Sequence, residues 1–309
     1  MPALSMQFGY YPEQCNLRNG DISLAGLPSL DESIELVEAE SDKIEGDWIY
    51  AGPKRELNFF TRAERTLPFP ARVFGLPRTH VLAHDNADGD DHLEFLIWCL
   101  GFFAGMRLTP TQAGFLDATP IRPGKLTDFL LIRCTLVDAA LLADAFWRAS
   151  ASNPRDAKRM TGIINTLFLA QYPPYLQFEE FMYLYTALDA CYALTASRFP
   201  PPRRLFHAHR LEWLCGQFGI QTPDWASPAS RNSTEVSLVR NDAIHEALFF
   251  EEPLGFAIYG GNARGSGGRN IPLEMRALIC RLLVAILGRP DCAYVSSPVG
   301  TRQKHALTL

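Results

Sequence analysis

The sequence contains no C-x-x-C pair. Its seven cysteines, at 15, 99, 134, 191, 215, 280 and 292, are scattered over 309 residues. That spacing fits neither a zinc site nor a small disulfide scaffold, and reads as reduced thiols. Long apolar runs are missing too. The most apolar, FLIWCLGFFAGM at 95–106, has 12 residues, whereas a bilayer helix needs roughly 20, so it reads as a buried core helix. The opening stretch MPALSMQFGYYPEQCNLRNGD has no basic segment leading into an apolar one, so no secretory signal is expected and a cytoplasmic location without membrane contact is. The glycine-rich stretch YGGNARGSGGRN (259–270) lacks Gly-Lys-Ser/Thr and does not follow a strand, which excludes a nucleotide P-loop. G-x-S-x-G is absent as well, so nothing singles out a serine nucleophile among the many serines.

Charge of one sign is scarce only locally. The formal net charge is −5, which provides no overall basic field for nucleic acid. From Pro201 onward there are 12 Lys/Arg against 9 Asp/Glu, a net of +3, so residues 1–200 carry −8. In that basic stretch every cation except Lys304 is arginine, the side chain suited to forked contacts with phosphate. A solvated arginine-rich surface explains this equally well.

What is present divides into two periods. The segments DISLAGL, SIELVEAES, KIEGDWIYAG and ELNFFTRAERTL are short, partly alternating and punctuated by Gly, Pro and Asp, which predicts strands. One helix interrupts them, from about Asp91 to Gly105, after the acidic loop DNADGDD. From about Leu126 the period becomes helical, with Leu136, Ala139, Ala140, Ala143 and Phe146 at spacings of three and four. RDAKRMTGIINTLFLA, FEEFMYLYTALDACYALTA and RRLFHAHRLEWLCGQFG follow, each about four turns or longer, then a helix around 240 and a last one, PLEMRALICRLLVAILG. The expected fold class is therefore α+β: a β-rich N-terminal domain over 1–122 and an all-α bundle over 123–309. The final YVSSPVGTRQKHALTL reads as a strand or a loose tail.

The helix around 240 carries the polar groups that need explaining. Asn232 and Glu235 resemble a capping box, and Glu251-Glu252-Pro253 ends the pattern. Val236, Val239, Ala243 and Ala247 form one apolar line. Asn241 and His245 are four apart and share a face. Arg240 lies roughly 140° from His245 around a helix of about 100° per residue, though its long side chain can swing toward that face. Spacing alone is weak, because Arg204 and His209 repeat it by chance. The polar Asn directly after Arg240, and the place of the helix next to last in a bundle, set the pair apart.

VRNDAIHEALFF resembles the signature of the HEPN superfamily, R-N-x-x-x-H, with Arg240, Asn241 and His245 in the three fixed places. The likeness is sharp over these residues; over about 125–290 it rests on the helical pattern and the late position of the motif. The first half faintly resembles the mixed β domains that precede HEPN in ApeA-like bacterial defence proteins, LIWCLGFFAGMRLTP being the nearest segment. Membership would imply a HEPN-like bundle acting as a metal-independent endoribonuclease. It would work as a homodimer through the helix of Arg240 and His245, with RNA as substrate, in a bacterial defence or toxin setting. Arg240 would bind the scissile phosphate, His245 would move protons and Asn241 would orient one of them. No cofactor or metal is implied. Some toxins of the superfamily carry a modifiable Tyr two residues after the His; here Ala247 stands there. A non-catalytic module that binds nucleotide or RNA, or only dimerises, is the alternative.

Two further stretches bear on chemistry. Arg264 and Arg269, just beyond the motif helix in the glycine-rich stretch, are candidate contacts to an RNA backbone. HVLAHDNADGDDH (80–92) collects three histidines and four aspartates, so a metal-dependent hydrolase is a rival reading. It fails the Ca²⁺-loop pattern, however: with Gly89 sixth, the first position is His84 and the twelfth Phe95. An acidic loop capping the following helix is preferred.

Overall fold

The computed structural model describes residues 3–175, 177–230, 233–245 and 270–309, with all their side chains except those of 177 and 242–245. The chain forms two compact units. The first is Met1–Leu126 with Arg133–Trp147; the second is Thr127–Ile132 with Arg148–Leu309. The α+β class is as expected, strand-rich first and helical after.

In chain order the first unit runs β1 (Leu4–Phe8), β2 (Asn16–Asn19), β3 (Ile22–Gly26), α1 (Leu30–Ala39), β4 (Ile44–Glu45) and β5 (Trp48–Tyr50). It continues with β6 (Pro53–Leu57), β7 (Glu64–Pro70), β8 (Val73–Phe74), β9 (His80–His84), α2 (Asp90–Ala104), β10 (Phe115–Leu116) and β11 (Ala118–Pro120). The main sheet has the order β1-β9-β3-β2, antiparallel throughout, with Phe8 opposite His80 and Ile22 opposite His84. The central β9 alternates, so His80, Leu82 and His84 are buried on one face. Helix α2 packs beside β1 and β9 and is buried nearly all round, as its 12-residue apolar run requires. It stops at Gly105, which sits in the left-handed region at φ +63°.

Of the segment expected as a strand at 33–41, residues 33–39 are instead part of α1. Ile34 and Leu36 alternate as in a strand, but Leu30, Ser33 and Val37 are the buried positions, at helical spacing, and Leu36 is exposed. Asp31 and Glu32 lie in the first turn, where the positive end of the helix dipole favours them.

The second unit begins with β12 (Phe129–Leu131), which pairs in parallel with the C-terminal β13 (His305–Leu307). The expected helix from 126 thus starts only at α3 (Leu136–Ala149), almost wholly in the first unit. Then come α4 (Arg155–Leu169), α5 (Gln177–Arg198), α6 (Arg210–Gln217), α7 (Glu235–His245) and α8 (Ile271–Ile286). Helix α5 packs on α4, α6 and α8. Helix α6 has only eight residues, shorter than expected, because a 3-10 turn at His207–His209 precedes it.

Helix α8 is buried on almost every face and carries two buried charges. Arg281 is 0% exposed and donates to Asp128 Oδ2 (2.8 Å), Ala277 O (2.8 Å), Ser297 O (2.9 Å), Ser297 Oγ (2.9 Å) and Pro298 O (3.0 Å). Tyr294 donates to the other Asp128 oxygen, and its ring lies under the guanidinium at 4.7 Å. Glu274 accepts from the buried Trp225 Nε1 at 2.8 Å. No helix of the described residues is long and apolar enough to cross a membrane.

Candidate active site

The start of α7 is fixed by a reciprocal pair. The backbone N–H of Thr234 donates to Ser237 Oγ (2.8 Å), and that of Ser237 donates to Thr234 Oγ1 (3.2 Å). This capping box sits two residues later than the expected Asn232–Glu235 pair: Thr234 caps, and Glu235 is the first helical residue. Asn232 and the expected end at 251–253 lie outside the described residues. Val236 and Ser237 are buried, Val239 and Arg240 half-buried, and Asn241 exposed. Arg240 Nη1 donates to Asn241 Oδ1 at 2.8 Å. His245 is the last described residue of α7, and its side chain lies outside the described ones. Arg264 and Arg269 also lie outside them.

Beside the first turn of α7 is a polar group of residues that sequence reasoning did not assemble. A narrow cleft is lined by Tyr185 and Asp189 from α5, His207 from the 3-10 turn, Arg210 from the start of α6, and Thr234 and Val236. His207 Nε2 lies 3.2 Å from Tyr185 Oη and 3.5 Å from Asp189 Oδ1, and its ring stacks on Tyr185. Arg210 Nη1 stands 4.0 Å from the same carboxylate, with its guanidinium over Tyr192 at 5.0 Å. Burial pushes the Tyr185 hydroxyl up to about 12, the Asp189 charge adds to the rise, and the cations Arg240 and Arg210 oppose it. Tyr185 and Asp189 are one turn apart on α5, while His207 and Arg210 come from the entry to α6, so no single spacing joins the two pairs. The one sequence signal was RLFHAH, whose His207 sits between the discounted Arg204 and His209.

That discounted pair occupies a second feature. Arg203, Arg204, Phe206, His209, Glu212 and Trp213 line an open cleft of about 440 Å³. Its mixture of guanidinium groups and aromatic rings suits phosphate and unpaired bases.

In the first unit, three ligand-type groups from the rival metal reading converge. One ligand atom each from His84, His92 and Asp144 lie within 4.8 Å of one another. Two histidines and a carboxylate are a set that can hold a divalent ion. The hydrogen bonds argue otherwise. The N–H of Asn86 donates to His84 Nδ1 (3.1 Å), and the N–H of Asp88 donates to His92 Nδ1 (3.2 Å). A ring nitrogen that accepts holds the lone pair, so each neutral imidazole carries its proton on Nε2. His84 Nε2–H donates to Asp144 Oδ1 at 3.0 Å. His92 Nε2 lies 3.1 Å from that oxygen, off the line of a hydrogen bond. Metal binding through Nε2 would put protons on both Nδ1 atoms, facing two backbone N–H groups. The arrangement is a latch joining β9, α2 and α3. The expected cap of α2 differs in the same way: no carboxylate caps it; His92 reaches back to the loop instead, with Asp90 and Asp91 in the first turn.

No family model, no curated protein and no solved structure matches the chain.

Proposed function

We propose that the chain is a metal-independent endoribonuclease with Arg240, Asn241 and His245 at its site, acting as a homodimer through α7. The observation that supports this reading most is the Arg240–Asn241 hydrogen bond, which draws the guanidinium toward the helix face on which position 245 falls one turn later. RNA brings its own nucleophile. A base removes the 2′-OH proton, the oxygen attacks phosphorus, and the departing 5′ oxygen takes a proton from an acid, leaving a 2′,3′-cyclic phosphate and a 5′-OH. Imidazole serves in either role near neutral pH, and His245 from two subunits would divide them. Arg240 supplies a fixed forked charge for the phosphorane, and preorganised charge of this kind is commonly the largest catalytic term. Asn241 orients Arg240. The cleft of Arg203, Arg204, Phe206 and Trp213 offers a place for the substrate strand. A role in bacterial defence or as a toxin, in the cytoplasm, belongs to the same reading.

The alternative is a module that binds or dimerises without cleaving. Its support is that Arg240 already has a partner in Asn241. Incubating a mixed RNA with excess EDTA and wild type, Arg240→Ala or Asn241→Ala separates the two. Cleavage by wild type that falls in both variants supports the nuclease. Retained RNA binding without cleavage by wild type supports the module.

A further inference from the structure

The most exposed apolar side chains of the described residues stand at the tip of the β6–β7 hairpin. Phe59 is 85% exposed and Phe60 100%. Hairpin tips normally carry Asn, Gly, Asp or Ser, which meet the turn geometry and face water at little cost. Here Asn58 does the turn chemistry, and two phenylalanines follow it. The Asn58 N–H donates to Ala63 O (3.0 Å), and the Arg62 N–H donates to Asn58 O (2.7 Å). Asn58 Oδ1 accepts from the N–H groups of Phe60 (3.0 Å) and Thr61 (3.1 Å). Arg62 takes the left-handed region at φ +53° to close the loop. The tip is a hydrogen-bonded turn that holds two rings out, where a slack loop would let them fold back on the strands.

Charge at the hairpin runs against its surroundings. Residues 53–70 contain four Lys/Arg and two Asp/Glu, a net of +2. The whole first unit contains 12 Lys/Arg and 20 Asp/Glu, a net of −8. Lys54 pairs with Glu56 at 3.2 Å and Arg55 with Glu64 at 4.0 Å. Arg62, in the loop, and Arg65, at the start of β7 across from Glu56, form no ion pair among the described residues. Two exposed rings followed along the chain by two guanidinium groups offer what single-stranded nucleic acid needs: π-faces for unpaired bases and cations for neighbouring phosphates. A duplex hides its base faces. Two rings bury little area in a bilayer.

We propose that the β6–β7 tip is a binding site for single-stranded nucleic acid, with Phe59 and Phe60 stacking on bases and Arg62 and Arg65 contacting phosphates. The site stands apart from the chemistry assigned to Arg240 and does not depend on it. The test is fluorescence anisotropy of the full chain with a labelled oligodeoxythymidylate, which has no 2′-OH and so reports binding whether or not the protein cleaves RNA. Wild type is expected to prefer this strand to the duplex by about tenfold or more. Phe59→Ser and Phe60→Ser each weaken binding about tenfold, and R62E with R65E flattens its salt dependence by the share of roughly two phosphates. All four positions are exposed, and circular dichroism checks that the variants fold. Equal binding by wild type and variants, or no binding of the strand, overturns the proposal. So does retention on anionic vesicles that the Phe substitutions abolish while the strand stays unbound, which would assign the tip to membrane.

Discussion

Arg240 and Asn241 are consecutive on α7, and the guanidinium Nη1 of the first donates to Oδ1 of the second at 2.8 Å. Neighbours in a helix point about 100° apart, so this bond forms only because the long arginine bends toward the shorter side chain. In the proposed nuclease the bond sets where the cation sits. Asn241→Ala is exposed and should leave thermal stability within about 0.5 kcal/mol of wild type, while lowering kcat/KM for RNA about tenfold. Arg240→Ala should lower it about 100- to 1,000-fold. Equal activity of Asn241→Ala and wild type would remove the orienting role.

Asp144 accepts from His84 Nε2 at 3.0 Å and lies 3.1 Å from His92 Nε2. Asp144→Ala leaves the buried His84 Nε2–H without its acceptor and removes the carboxylate beside His92 Nε2, and should cost roughly 3 kcal/mol in urea unfolding. Adding Zn²⁺ should not raise the wild-type midpoint, because both Nε2 atoms carry protons in the latch. A midpoint that climbs with Zn²⁺ and is lost in His92→Ala would favour the metal reading.

The chemistry of this latch was out of reach of sequence reasoning. His84 and His92 were visible as a cluster, but Asp144 lies more than 50 positions further along, on a helix whose apolar period gave no hint of which sheet it meets. Helix α2 was legible because the apolar run at 95–106, following an acidic loop, permits little else. Helix α1 was misread because Ile34 and Leu36 mimic strand alternation while the buried positions are Leu30, Ser33 and Val37. Strand β12 was hidden for a related reason: FLLI continues the helical run that follows it, and only its parallel partner at the far end of the chain reveals it. At the candidate site, α7 and the positions of Arg240 and Asn241 could be read directly. The meeting of Tyr185 and Asp189 with His207 and Arg210 could not, since the packing of α5 against α6 brings the two pairs together.

Asp128 and Arg281 form a buried pair, with the arginine wholly out of solvent. Asp128→Asn should destabilise by about 3–5 kcal/mol, because an unpaired guanidinium stays buried. Asp117→Asn, which breaks the pair with the exposed Arg72, should cost about 1 kcal/mol or less. Similar urea midpoints for the two variants would contradict the burial argument.

His80 sits in the sheet core, donating through Nε2 to Glu13 O (3.0 Å) with Nδ1 3.0 Å from Thr79 Oγ1. Burial, opposed by the Glu13 carbonyl, lowers its affinity for protons below the usual histidine value. The unfolded chain then binds more protons than the folded one between about 6.5 and that lowered value, so stability should fall as pH drops through this window. His80→Phe, which cannot titrate, should show a shallower fall between pH 7 and 5 in urea midpoints. An unchanged slope would mean that other groups set the acid sensitivity.

The central claim is transesterification by the residues of α7, and the ends of the RNA products test it most directly. Wild type and His245→Ala are incubated with a mixed RNA in EDTA, and the new termini are analysed. The account predicts 2′,3′-cyclic phosphates and 5′-OH ends from wild type, and no cleavage by His245→Ala. Equal cleavage by both proteins, or products ending in 3′-OH and 5′-phosphate, would contradict it.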